Sequence, residues 1–424
     1  MKALARGVKW LCWAGLLQLH WGAMAEVVNE PVKAAIPGPG IEPAKALESP
    51  REGFAERISL FQEREPTATW LKFGELLLSP TYSQSSTYND NVLGQPADSQ
   101  KQDFQVNYAP RLAVRYAPSR DFTFDGGYGF GWHTYANQVA RHYMTHDADG
   151  ALNWNRVGLD GLSLRCDGSY QQTGNTGVLV QDFVAFNRLH AYNFGPTLAY
   201  RLNRLAVVLN YQYAETHYFE RRNLINDFSS HAGTAVLSYR LTERGLAAYA
   251  SYSAKSFQTL DPVTGDCVVQ EGRVGLQGVY RKLEFRFGVG ENSASYAQPS
   301  LRDKIKPGAA MGLRYSPNRI VSCELGASRA FVVGPLSGST TNTQLNGTVV
   351  LDLSKFDRVT LFTAWTDEDY GTRRRDTLLY GVRYDRPLTR NMKLLAQVDR
   401  TERTVSLQPD VKMTTATIGL TLGF

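Results

Sequence analysis

The sequence predicts an all-β chain, a transmembrane antiparallel up-and-down β-barrel of about eighteen strands, with sixteen as the alternative. Three observations predict it. Segments of roughly ten to fourteen residues alternate apolar with polar side chains along most of the chain. Tight turns alternate with longer polar loops between those segments. The chain also ends inside such a segment, on Phe424, where most termini run out into polar residues.

Composition narrows the class. The 424 residues are 43% hydrophobic and 20% charged, with a mean hydropathy of −0.32. Beyond the N-terminus no apolar stretch reaches the roughly twenty residues of a spanning helix, which excludes a helical membrane protein. Abundant Tyr (22), Phe (19) and Gly (37) favour strands and turns. A net charge of +6 is modest for this length and no basic run stands out, so no nucleic-acid partner is expected.

Residues 1–25 read as a secretory signal: Lys2, Arg6 and Lys9, an apolar run from Trp10 to Trp21, then a small-residue cleavage site at Ala23–Ala25. Export across a bacterial inner membrane with cleavage near Ala25 is the expectation, and the outer membrane is the destination of a barrel. Residues 26–75 form a Pro-rich periplasmic leader. Within it, Ser49 and Pro50 make a helix start, with Phe54, Ile58 and Phe61 on one face. A weakly ordered linker is the equal alternative there.

Residues 76–424 carry the strands. In "DFTFDGGYGFGWH", Phe122, Phe124, Tyr128, Phe130 and Trp132 share one side, opposite Thr123, Asp125, three glycines and His133. "RLAVVLNYQY" and "KLEFRFGVG" repeat the pattern, the latter setting Leu283, Phe285, Phe287 and Val289 against Glu284 and Arg286. Strands are expected to begin near Leu76, Gln102, Asp121, His146, Leu162, Asn187, Arg204, Ser230 and Leu246. The remainder are expected near Val269, Leu283, Ile305, Arg319, Thr341, Arg358, Arg375, Met392 and Lys412. Short turns such as "LNRL" (202–205) and "YRKL" (280–283) recur every two strands, so the repeated unit is a hairpin pair. Short turns on one side and long loops on the other suit periplasmic and extracellular ends.

A soluble β-helix, propeller or set of sandwiches is the competing class. Strands longer than the usual five or six residues speak against it. So do aromatics near the ends of the apolar faces, at Tyr116, Trp132, Tyr143, Trp154, Tyr200, Tyr239, Tyr315 and Tyr384, as interfacial girdles require. Only helices and closed barrels satisfy the backbone in lipid, so the last strand is expected to pair with the first. Ile418, Leu420 and Leu422 would then face lipid, and Thr417 and Thr421 the lumen.

The sites are sparse. Cys166 and Cys323 fall on apolar faces, Cys267 reads as a loop residue, and no metal-type spacing links them. No cofactor or metal is expected. Asn89, Asp90 and Asn91 read first as a capped turn. "HDADG" (146–150) has some of the residues of a calcium loop without the rest. Scattered His residues and the lack of a G-x-S-x-G segment give no catalytic constellation, so no enzyme is expected, a lipid hydrolase assembled across strands being the remaining alternative.

If the apolar faces meet lipid, the opposite residues line a lumen. The candidates on the first half of the chain are Arg111, Arg115, Asp125, Arg165, Arg201 and Arg240, with Asp103 and Asp167. Those on the second half are Arg273, Glu284, Arg286, Arg314, Glu324 and Arg383, with Asp399. An Arg excess favours anions; pairing of these charges across strands, leaving a merely polar interior, is the equal alternative.

The segment "GELLLSPTYSQSSTYNDNVLG", its Tyr88, Asn89, Asp90 and Asn91, and the terminal aromatic resemble the β-barrel porin 2 type of outer-membrane protein. The resemblance spans Gly74 to Phe424, with specific matches only in the first hairpin and the last strand. It implies a porin-like or polysaccharide-export-associated role, and Phe424 resembles the signal that barrel-assembly machinery recognises. The expected function is therefore a channel for small polar or anionic solutes, partnered by outer-membrane lipids and the assembly machinery. The alternative is a non-conducting envelope barrel that works through polysaccharide export or protein partners. Oligomeric state is not readable from the sequence.

Overall fold

The computed structural model describes residues 71–424 apart from 92–99, 120, 138–141, 156–160, 181–182, 220–226, 243–244, 260–265, 299–302, 335–337, 370–373 and 407–408. Of the rest of 173–187 and 332–340 it describes the backbone alone. The signal, the leader and the helix start at Ser49 lie outside the described residues.

The described elements are all strands. In chain order they are β1 (Leu71–Phe73), β2 (Leu76–Asn89), β3 (Asp103–Tyr116), β4 (Phe122–Tyr135), β5 (Tyr143–Asn155), β6 (Leu162–Val180) and β7 (Phe183–Leu202). Next come β8 (Leu205–Tyr218), β9 (Phe228–Arg240), β10 (Ala247–Thr259), β11 (Cys267–Tyr280), β12 (Leu283–Tyr296) and β13 (Lys304–Tyr315). The last are β14 (Val321–Gly334), β15 (Gly338–Asp352), β16 (Arg358–Asp369), β17 (Arg374–Thr389), β18 (Met392–Val405) and β19 (Val411–Gly423). From β2 to β19 each strand pairs with the next in the chain, and β19 pairs back onto β2, so eighteen strands close an antiparallel barrel. The predicted starts agree with these strands to within a few residues. The larger departures are His146 against Tyr143, Asn187 against Phe183 and Thr341 against Gly338.

Closure follows from the last strand. Thr415↔Asn89 through Gly423↔Thr81 form the seam, and the Phe424 amide donates to the Pro80 carbonyl at 3.0 Å. That pairing leaves the first residues of β2 uncovered. β1 covers them, Leu71↔Leu78 to Phe73↔Leu76, after a turn at Gly74 whose φ of 64° suits glycine. At the other end of the seam, Asn89, Asp90 and Asn91 form a capped turn, as the Asx pattern predicts. The Asn91 amide donates to Asn89 Oδ1 (2.8 Å), the Thr414 amide to Asp90 Oδ1 (2.7 Å), and Asn91 Nδ2 to the Lys412 carbonyl (2.9 Å). The Tyr-Asn-Asp-Asn segment thus ties the first strand to the last.

Two-residue turns join β7 to β8 and β11 to β12. They place Asn203 (φ 52°) and Arg281 (φ 55°) in the left-handed region that matches strand twist. These turns, the start of β2 and Phe424 lie at one rim, and the paired ends of β2 and β3 at Asn89 and Asp103 lie at the other, the long-loop rim.

Side-chain alternation survives around the whole wall because the register carries it from strand to strand. Large apolar residues stand exposed on the outer face, Val289 at 64% and Ile418 at 56%, while Ser79, Asn107, Asn292 and Thr415 are buried on the inner one. An apolar exterior over a polar interior is the arrangement of a spanning barrel. Three sequence readings need correction. Tyr143 is not a girdle residue: it shares parity with Asp147 and Asp149, is buried, and stacks on His133 at 4.3 Å. Cys267 is the first residue of β11, buried rather than in a loop. "HDADG" lies within β5 rather than in a loop.

Candidate functional site

All fifteen charged residues singled out from the sequence project from the face opposite the exposed apolar side chains. The register shows this directly: Arg115 pairs with Asp125, Glu284 with Arg314, and Arg314 with Glu324. What the sequence does not show is who touches whom. Most of these cations are paired.

The β3–β6 wall is built around a slot of glycines. Gly127 and Gly129 of β4 face inward, and a Cβ on either would meet Arg111 or Asp147. With no side chain in the way, Arg111 of β3 lies across β4 and pairs with both Asp147 and Asp149 of β5. Arg115 pairs with Asp125 at 2.5 Å, and Arg165 with Asp167 at 3.2 Å. Toward the long-loop rim, buried His133 meets Asn107 Oδ1 at 2.6 Å and Thr145 Oγ1 at 3.1 Å.

The facing wall uses the same device. Tyr249 of β10 lies across Gly275 of β11 and approaches Gly288 of β12, and Arg286 sits 4.4 Å from its ring centre. Arg314 pairs with Glu324 at 3.1 Å. Arg273 pairs with Glu271 at 2.6 Å, and Arg383 with Asp385 at 2.7 Å, both pairs buried. Lys393 adds a second cation to Asp385 at 3.2 Å. Arg201 and Arg240 differ: among the described residues neither has a carboxylate in salt-bridge range. Both lie near the short-turn rim: Arg201 pairs with Ala206, and the Arg240 amide donates to the Arg204 carbonyl at 2.8 Å.

Sequence reading did not count Asp147, Asp149, His133, Glu271, Asp385 and Lys393 among the lumen candidates. Two carboxylates two residues apart in a strand share a face, so the strand expected from near His146 already sets Asp147 and Asp149 side by side as partners for an Arg. Glu271 and Asp385 show the same signal, each two residues from its Arg.

Chemically, the inner wall is a mosaic of opposite charges, many of them half-exposed, with the Arg201 and Arg240 guanidinium groups among those left to meet other anions. Half-exposed pairs add little stability. Their consequence is a wettable surface of alternating sign.

No family model matches the chain, and no curated protein matches it. Among solved structures it is similar to the outer membrane protein OpdK of Pseudomonas aeruginosa, at 10% identity and a TM-score of 0.47, over 82% of this chain and 99% of that one. It is similar to OccAB3 of Acinetobacter baumannii at 10% identity and 0.46, over 82% and 99%. The siderophore receptor PirA of Pseudomonas aeruginosa gives 9% and 0.46, over 82% and 80%. What those proteins bind or carry does not transfer to this chain.

Proposed function

We propose that the protein is an outer-membrane channel of porin type, passing small polar solutes with a preference for anions and catalysing no reaction. The observation that carries this reading is the closed barrel itself, apolar outside and lined inside by half-exposed charges. Barrels of sixteen to eighteen strands have room for an aqueous path. The anion preference rests on Arg201 and Arg240, because the paired arginines are offset by their carboxylates. The resemblance of Gly74–Phe424 to the β-barrel porin 2 type, the signal ending near Ala25, and Phe424 as the mark read by the assembly machinery belong to the same proposal.

Conductance of the purified chain in planar bilayers tests it. A stable open channel is expected, with a reversal potential on the anion side in a salt gradient. A unit charge acts on an ion about 10 Å away through water with about 0.4 kcal/mol before screening. Reversing both arginines (Arg201→Glu with Arg240→Glu) should therefore move the reversal potential toward the cation side. Persistent lack of conductance sinks the channel in favour of the non-conducting envelope barrel. Zero or cation selectivity in the wild type sinks the anion preference alone.

A further inference from the structure

β14 does not stay in the wall. β13 begins at Lys304 and β14 runs on to Gly334, yet the two are in register only from Ala309↔Arg329 to Tyr315↔Cys323. Beyond Arg329, the usual alternation of exposed and covered side chains stops. Ala330 and Phe331 are 6% and 3% exposed, and across the hairpin Thr341 and Asn342 are 6% and 2%. A strand covered on both faces is surrounded by protein.

Its surroundings are the inside of the barrel. Phe331 packs in one cluster with Phe228 of β9, Phe257 of β10, Cys267 and Val269 of β11 and Ala294 of β12. All five share the parity of the inner charged residues on their strands, so Phe331 has crossed the inner surface of β13 to reach them. Two polar contacts hold the departure. Asn292 of β12 lies over Gly308 of β13, where a Cβ would collide with it, and its Nδ2 donates to the Arg329 carbonyl at 3.3 Å. Lys306 of β13 donates through Nζ to Thr341 Oγ1 at 2.7 Å. Pro307 lies at the level where β13 has lost its neighbour, and a residue without an N–H leaves one donor fewer unpaired there.

We propose that this inward-turned part of β14 and β15, anchored by Phe331 and held by Asn292, is the constriction that sets the largest solute the barrel admits. The proposal rests on the channel reading above. It commits to a position, the long-loop mouth on the β9–β12 side, and to a named apolar anchor.

Cys267, buried beneath Phe331, supplies a readout independent of conductance. The full chain with Cys12, Cys166 and Cys323 replaced by Ala is compared with the same chain carrying Phe331→Ala, Asn292→Ala or the conservative Phe331→Leu. Heat-modifiable migration confirms that each barrel has folded. Phe331→Ala and Asn292→Ala should raise single-channel conductance, admit larger oligosaccharides in liposome swelling, and speed labelling of Cys267 by a membrane-impermeant thiol reagent several-fold. Phe331→Leu should stay close to the parent. A conducting parent whose conductance and exclusion limit are unchanged in both Ala variants overturns the constriction while leaving the channel standing. Cys267 labelling as fast in the parent as in the variants overturns the anchor. Folded barrels that never conduct, parent and variants alike, overturn the channel reading itself.

Discussion

Removing the clamp at the top of the seam should weaken the whole barrel, because the pairing of β19 with β2 is what closes it. In the Asp90→Ala, Asn91→Ala double variant, the Thr414 amide loses a charged acceptor at 2.7 Å and the Lys412 carbonyl loses the Asn91 Nδ2 donor at 2.9 Å. A hydrogen bond to a charged group contributes about 1.5–3 kcal/mol and a neutral one about 0.5–1.5 kcal/mol. The sum is about 2–4 kcal/mol, slightly less where the two neighbours share an effect. At a tenfold change per ~1.4 kcal/mol, that is roughly a thirtyfold to thousandfold rise in the unfolded fraction. Urea unfolding in liposomes, followed by tryptophan fluorescence and by heat-modifiable migration, reads it. Gln100→Ala is the control, since exposed Gln100 gives Lys412 only a second, 3.2 Å bond. A double variant that unfolds within about 0.5 kcal/mol of the wild type, the range of an ordinary surface substitution, would refute the clamp.

Three further outcomes are expected. Gly129→Val should drive a side chain into the Asp147 carboxylate and break its hold on Arg111, costing about 1–3 kcal/mol in the same unfolding assay; an unchanged midpoint would show that the slot has slack. Arg281→Gly relieves a left-handed residue at a two-residue turn and should stabilise by about 0.5–1 kcal/mol, the strain relieved less the added chain entropy, whereas destabilisation would mean that the Arg281 stack on Tyr280, at 5.5 Å, matters more. Deleting Phe424, which is 57% exposed and bonds to β2 only through its amide, should reduce the amount of inserted barrel far more than the conductance of each inserted molecule; normal assembly of the shortened chain would dismiss it as a signal.

Much of this protein could be read locally. Strand number, strand starts and the side on which each residue falls all follow from a period of two and from turn residues, which are properties of neighbouring positions. The last strand shows it plainly: Ile418 lies outside, while Thr417 and Thr421 meet Thr87 and Ser83 across the seam at 3.0 and 3.1 Å. Closure could be read too, since an open edge has no place in lipid. Tyr143 and Cys267 were misplaced because each lies at the first residue of a strand, where the alternating pattern has not yet declared itself.

What alternation cannot supply is distance across the sheet. Arg111 finds Asp147 two strands away only because Gly127 and Gly129 lie between them, and that register is fixed when β3, β4 and β5 assemble. The same holds for Tyr249, which reaches Arg286 across Gly275, and for Arg201 and Arg240, whose lack of a carboxylate partner among the described residues depends on the strands folded beside them. The inward turn of β14 lies furthest from sequence reading. "SRAFVVG" sets four apolar residues in a row at 330–333, a run that suits a strand covered on both faces but does not say what covers it. Which of the two it becomes is decided by partners remote in the chain: an apolar patch on β9 to β12 that receives Phe331, and a glycine at 308 that lets Asn292 take hold of Arg329. The sequence therefore determines the barrel, because periodicity is local, while the folded barrel alone determines which charges are neutralised and where the path narrows, because those depend on contacts between strands far apart in sequence.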